Sequence, residues 1–289
     1  MGASSGWSHQ VGRGWLRWVL FGLWAAYLTL PILATLLYSF ATVWRNRAFP
    51  DGYTLRWWAE TLQTPRVLNA LVVSLGLAAL TVLLVAVLVL PPLYWGYVRE
   101  PRLRTVLQAA ALLPFALPFV VLAYGMKNLA GATPVTAVYD ASPQLLLLGH
   151  VALSFAFFLW PADGAMASAD VRRLHEAAVA AGAEPATVLW RVVLPNIRTG
   201  VLTGAILAFA TSFGEYSIAR VITGNSFETL PVWQVAQLQD TRGNPNGVAV
   251  MALFTFVLLF ASSLVVARIG GGQILRLLPG VGPARRSTT

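Results

Sequence analysis

Glu215, in the stretch "FGEYSIAR", is an acidic residue inside an apolar run, and Tyr216 and Ser217 add hydroxyl groups beside it. An ionised side chain inside a bilayer costs roughly 2.5–3.5 kcal/mol even on insertion scales, so Glu215 must face protein or water. Two readings follow. The group attracts a cationic solute within a translocation path that Tyr216 and Ser217 share, or it is a structural carboxylate, paired with a cation such as Arg220 or capping broken backbone near Gly214. His150 lies in another apolar run, where its ring must be paired or turned inward; alone there, it reads first as a packing residue. With His9 and His175 far away in sequence and no cysteine, neither a metal site, a disulfide framework nor a thiol nucleophile is available. Ser74, Ser154 and His150 offer a nucleophile and a base at membrane depth, yet no G-x-S-x-G or H-E-x-x-H motif holds them. No catalytic residue, metal or cofactor is therefore expected.

These groups need a scaffold in lipid. The 289 residues are 57% hydrophobic and 11% charged, with a mean hydropathy of +0.67, which places the chain among membrane proteins. Runs of the roughly 20 residues needed to cross a hydrocarbon core fall near 16–43, 67–94, 106–126, 144–162, 200–222 and 247–267. This predicts an all-α polytopic protein of six transmembrane helices spanning 16–267, with tails at 1–15 and 268–289. Pro31 is expected to kink the first span, Pro91-Pro92 to end the second, and Pro114 and Pro118 to bend or unwind the third.

The net charge of +9 follows this topology rather than a nucleic-acid patch, and no nucleic-acid partner is expected. With the N-terminus inside, thirteen arginines lie in cytoplasmic segments, whereas seven cations lie outside, among them Arg66, Lys127 and Arg220. That asymmetry is the positive-inside signature and puts both termini in the cytoplasm. The first apolar run is too long for a cleaved signal and reads as a retained span, with Trp57 and Trp58 on an interfacial helix after it.

The segment 163–199 is a cytoplasmic loop with helical pattern. "DVRRLHEAAVAA" is made of good helix formers, Gly182 suits a left-handed helix end, and Pro185 suits the first turn of the next helix. Alanines at 177, 178, 180, 181 and 183 leave a surface that another protein's groove approaches closely, while Leu174 and Val179 alone would anchor a surface helix poorly.

In "EAAVAAGAEPATVLWRVVLP", Glu176, Ala177, Ala178, Gly182, Leu194 and Pro195 match six of the seven fixed positions of EAA-x3-G-x9-I-x-LP, with Val192 for the isoleucine. The stretch resembles the EAA loop of inner-membrane permeases of binding-protein-dependent ATP-binding-cassette (ABC) importers. "LPILATLLYSF", "RVLNALVVSLGLAALTVLL" and "FGEYSIARVITGNSFETLPVW" resemble the spermidine/putrescine, iron and thiamine branch. The resemblance implies a type I importer permease fold in a bacterial inner membrane and a small solute such as a polyamine. It also implies a coupling helix seated on a separate ATPase: Glu176, Ala177 and Ala178 for docking, Gly182 for the turn, Val192, Leu194 and Pro195 for the return toward span five. The implied partners are two ATPase subunits, a second permease, same or different, an extracytoplasmic solute-binding protein, and membrane lipid.

The chain has no phosphate-binding G-x-x-x-x-G-K followed by Ser or Thr, and its one lysine is Lys127, so ATP hydrolysis is expected on another subunit. The glycines at 270–273 read as a flexible exit from span six. Gly200 and Gly204 form a G-x-x-x-G face for close helix approach, unless they are accidental in a glycine-rich chain. An ion-coupled secondary transporter is the alternative, but such carriers show internally repeated halves, and the EAA pattern occurs once.

Overall fold

The structure, a computed structural model, describes residues 8–44, 47–132, 142–224 and 226–269. Residues 1–7 of the N-terminal tail and 270–289 of the C-terminal tail, the glycine-rich 270–273 included, lie outside the described residues. Regular structure among the described residues is helical apart from a single antiparallel bridge, Ala41 to Tyr53.

Two compact units are present among the described residues, one from residues up to 64 with 237–257 and the other from 65–236 with residues from 258 on. In the first, α1 (Ser8–Phe40) is an apolar helix whose side chains from Trp15 to Leu33 are largely exposed, as a lipid-facing surface requires. It runs through Pro31 without a break and stops at Phe40, short of the expected residue 43. There the chain folds back: Thr42 N–H donates to Gly52 O at 2.9 Å and Trp57 Nε1–H to Ala41 O at 2.8 Å. The short α2 (Arg56–Gln63) follows, with Trp58 stacked on Phe40.

The second unit is built around α3 (Pro65–Val98), α6 (Pro143–Ser168) and α10 (Arg198–Phe213). Buried Val85, Val89, Leu93, Phe158, Leu159, Met166 and Ala208 form its main core. Pro91-Pro92 does not end α3, which continues to Val98. Leu93, Tyr94 and Gly96 are buried there, and packing holds the last turns that sequence alone would have released. Likewise α6 passes the expected end at residue 162, because Ala162, Asp163 and Met166 are buried against its neighbours.

Two expected spans are broken. α4 (Pro101–Ala116) and α5 (Phe119–Gly131) meet at 102° across Leu117 and Pro118. Proline at 118 disfavours helical geometry in the preceding residue, and Leu117 is extended, with ψ 144°. Further on, the helical stretch Pro185–Asn196 meets α10 at 81°. α10 then ends at Phe213, not near 222, and a separate α11 (Ser217–Thr223) follows Gly214. α12 (Leu230–Gln239) and α13 (Pro245–Ile269) complete the chain. Four helices are long and apolar enough to cross a membrane, and up to six segments if each bent pair counts as one span.

Gly200 and Gly204 are where α10 meets α6. A Cβ on Gly200 would fall onto Ala165 and 2.6 Å from Pro161 O, and one on Gly204 would lie 2.8 Å from Phe158 O. The obstacles include backbone, which does not swing aside. Gly204→Val is expected to destabilise the detergent-purified protein by about 1–3 kcal/mol. Gly125→Ala, where nothing lies within 4 Å, is expected to leave the thermal midpoint in place. Equal midpoints for the two variants would contradict the close-packing account.

Candidate functional site

The loop after α6 turns at Asp170, whose φ of 48° is left-handed, and enters α7 (Val171–Ala180). Val171 and His175, one turn apart, are buried, and Ala178 beyond them is half-buried, so this stripe faces the protein. His175 Nδ1 lies 2.6 Å from the Tyr94 hydroxyl of α3, and the same hydroxyl donates to Pro185 O at 3.3 Å. Burial, helped by Arg99 and opposed by Glu176, lowers the His175 pKa below the ordinary 6.5.

Gly182, with φ 86°, ends α7 in a Schellman arrangement. Its N–H donates to Val179 O at 2.9 Å and the Ala183 N–H to Ala178 O at 3.0 Å. Glu184 is extended, Pro185 opens the next turn as α8 (Pro185–Thr187), and the chain then widens into a π-helical turn, Val188–Val193, before α9 (Leu194–Asn196). The wider turn brings residues five apart onto one side, which lets Val188 and Val193 both enter the core.

The motif residues therefore divide. Ala178, Val192 and Leu194 pack inward, whereas Glu176, Ala177, Gly182 and Pro195 are exposed. Glu176 pairs with Arg172 at 3.0 Å on the open surface, an interaction of little stabilising value. Alongside them Val179 is 43% and Trp190 56% exposed, which leaves an outward face of small residues flanked by two apolar ones.

Beneath the loop is a polar cluster that sequence reasoning missed. The Asp163 carboxylate of α6 accepts from Arg104 Nε at 2.7 Å and Nη2 at 2.9 Å, from Gln108 Nε2 at 2.6 Å and from the Tyr97 hydroxyl at 2.8 Å. Arg104 also lies over the Tyr97 ring, 4.8 Å from its centroid. One carboxylate thus joins α3, α4 and α6 at the base of the loop. Its signal was available, since an aspartate closes an apolar run, but Arg104 sits 59 positions away and counted only as a topological charge.

Glu215 is buried in the break after α10. Its carboxylate accepts the Ile218 N–H at 2.9 Å and the Ala219 N–H at 3.1 Å, satisfying the first donors of α11. His150 Nε2 stands 3.8 Å from Glu215 Oε2, its Nδ1 is 2.8 Å from Ser212 Oγ, and Ser212 donates to Thr81 Oγ1 at 3.3 Å. Serine, histidine and glutamate succeed one another as in a hydrolase triad, yet all three are buried and the serine proton points to threonine. The set joins α3, α6 and α10. Tyr216 and Ser217 are half-buried beside it. Of the other hydroxyls weighed as nucleophiles, Ser74 Oγ accepts the Leu230 N–H at 2.7 Å and Ser154 donates to Ala208 O at 3.4 Å.

A family model described as the binding-protein-dependent transport system inner membrane component matches residues 89–271. The chain belongs to that family. This inner membrane component is 30% identical over 228 residues to the molybdenum transport system permease protein ModB of Mycobacterium bovis, an alignment covering 74% of the present chain and 83% of the other. It is 28% identical over 231 residues to the putrescine transport system permease protein PotI of Escherichia coli, covering 77% and 79%. Its fold is similar to a chain from the crystal structure of a bacterial ABC transporter involved in the import of the acidic polysaccharide alginate. The TM-score is 0.68 at 17% identity, with 92% and 99% of the two chains covered. At that identity the likeness speaks for the fold. The chain is thus an ABC importer permease subunit of the membrane, and the ion-coupled carrier is set aside.

Within this permease, Glu215→Gln and Glu215→Ala separate capping from solute contact. Glutamine keeps an oxygen for the Ile218 N–H; alanine leaves buried donors unpaired, at about 1–3 kcal/mol. Glu215→Gln is expected to retain thermal stability and transport, and Glu215→Ala to lose stability. A stable Glu215→Gln protein that couples to ATP hydrolysis but no longer transports would instead place the charge in the solute path.

Proposed function

We propose that this permease forms half of a translocation pathway and takes its drive from a separate ATPase that grips the exposed face of α7 and the following turn. The observation carrying this reading is the division of the loop. Glu176, Ala177 and Gly182 stay open to a partner, while His175, Val188 and Val193 are fastened to the spans. Displacement of the outer face is passed inward through the Tyr94 to His175 contact and the Asp163 cluster, because close-packed interiors transmit rather than absorb strain. The unit is two permeases, alike or different, with two ATPase subunits and an extracytoplasmic binding protein that delivers a small solute. The loop and both termini face the cytoplasm of a bacterial cell. A polyamine, taken from the resemblance, is one solute class, in keeping with the putrescine permease among the relatives, and the molybdenum permease supplies a second.

The test is purification of the tagged permease from membranes in which an ABC ATPase subunit is co-expressed. A stoichiometric ATPase whose turnover rises with solute-loaded binding protein is the expected result. A permease that emerges alone, and transports without nucleotide, overturns the reading.

A further inference from the structure

We infer that His175 makes the coupling loop acid-sensitive: a proton taken up by its ring releases α7 from α3 and, with it, the hold of the ATPase on the permease. The inference deepens the permease reading above and rests on it.

The attachment of α7 is narrow. Of its 10 residues only Val171 and His175 are buried, so one of the two side chains that fasten this helix titrates near physiological pH. The imidazole meets the Tyr94 ring edge-on, with centroids 5.7 Å apart and planes at 73°, and its Nδ1 lies 2.6 Å from the hydroxyl. That hydroxyl has one proton and two acceptors in reach, the ring nitrogen and Pro185 O at 3.3 Å, and so ties α3 both to α7 and to the start of α8. A neutral ring with its proton on Nε2 offers a bare Nδ1 to the Tyr94 proton. An imidazolium carries N–H on both nitrogens and accepts at neither. Protonation therefore leaves Tyr94 only the longer bond to Pro185 O, and it places a cation where a neutral ring had been buried.

The surroundings do not welcome that cation. From α3 the ring faces Tyr94 and Arg99, and from its own helix Glu176, whose carboxylate is already paired with Arg172 at 3.0 Å. The α6 carboxylate, Asp163, is taken up by Arg104, Gln108 and Tyr97, and Arg191 of the π-helical turn is exposed. Burial and Arg99 outweigh Glu176, so the docked ring binds a proton less tightly than a released one, whose pKa is the ordinary 6.5. The contribution of His175 to docking is accordingly whole above pH 6.5 and is lost as the pH falls below it.

The test uses the complex of tagged permease and co-expressed ATPase, immobilised through the tag. It is washed at about pH 7.5 or about pH 5.5, on either side of an ordinary histidine pKa, and the ATPase retained per permease is measured. The wild type is expected to retain about fivefold less at the acid pH, and His175→Gln, which does not titrate, to retain equal amounts at both. Hydrogen exchange of the α7 amides in the same complex, corrected for the intrinsic pH dependence of exchange, is expected to quicken in acid by a similar factor in the wild type alone. Arg99→Gln, at an exposed position, stands in should His175→Gln fail to fold. Without the cation that opposes the ring's proton, the acid loss is expected to shrink to about twofold. Equal retention by the wild type at both pH values, or a loss that persists in His175→Gln or undiminished in its stand-in, overturns the inference, while recovery of the ATPase at the higher pH keeps the permease reading. Acid-quickened exchange of α7 in a permease that captures no ATPase at either pH overturns the reading and the regulatory role together.

Discussion

Gly182→Pro is expected to abolish ATPase recruitment while leaving the protein inserted in the membrane. Gly182 holds a φ of 86°, which proline, fixed near −65°, does not reach. Proline also removes the N–H that bonds Val179 O and disfavours the helical geometry of Ala181, so the whole end of α7 is lost. No Cβ clash contributes, because nothing lies within 4 Å of a side chain added there. The conformation alone is tested. Gly182→Ala, which costs roughly 1–2 kcal/mol in the left-handed region, is expected to weaken recruitment in part. The measurement is ATPase retained per permease after affinity purification, expected to fall at least tenfold for Gly182→Pro. Unchanged retention by a folded Gly182→Pro protein would remove α7 and its turn from the docking surface.

The second large effect is expected at Asp163. Its carboxylate is the shared acceptor for Arg104, Gln108 and Tyr97, so Asp163→Ala leaves three donors without it at once. Removing one partner of a fully buried ion pair costs about 3–5 kcal/mol. The Arg104 side chain is 41% exposed and recovers water, which brings the expected loss to roughly 2 kcal/mol. The loop above should loosen as well, so ATP turnover coupled to transport falls more than stability does. Arg104→Gln and the double variant complete a cycle in which the combined loss is smaller than the sum. Strict additivity would show that Asp163 and Arg104 do not act together.

The two predictions differ in where their warrant came from. The helix of 171–180 and its termination at Gly182 were legible in the chain, because helix formers, a glycine and a following proline are local signals acting over a few residues. So was the disturbance in span three, since Pro118 restricts Leu117 through direct steric contact. The Asp163 cluster was not legible. Its partners come from three helices, and the pairing depends on how α3, α4 and α6 are laid together.

Glu215 shows both sides. Composition alone required a partner for a carboxylate in an apolar run, and capping of broken backbone near Gly214 was one of the two choices open. Which choice is realised depended on α10 stopping at Phe213, and the hydrophobic pattern, continuous to about 222, does not mark that stop. The π-helical turn of 188–193 was likewise unmarked, being a compromise that seats Val188 and Val193 together in the core.

By itself, then, the order of residues determined the helical class, the approximate span positions and the loop motif, each of which depends on hydropathy or on backbone preferences of near neighbours. Tertiary structure alone decided that α3 survives Pro91-Pro92, that α10 breaks before Glu215 and that His175 comes to rest against Tyr94. Those outcomes follow from burial and from contacts between residues far apart in the chain, whose free energies exceed the local preferences they override.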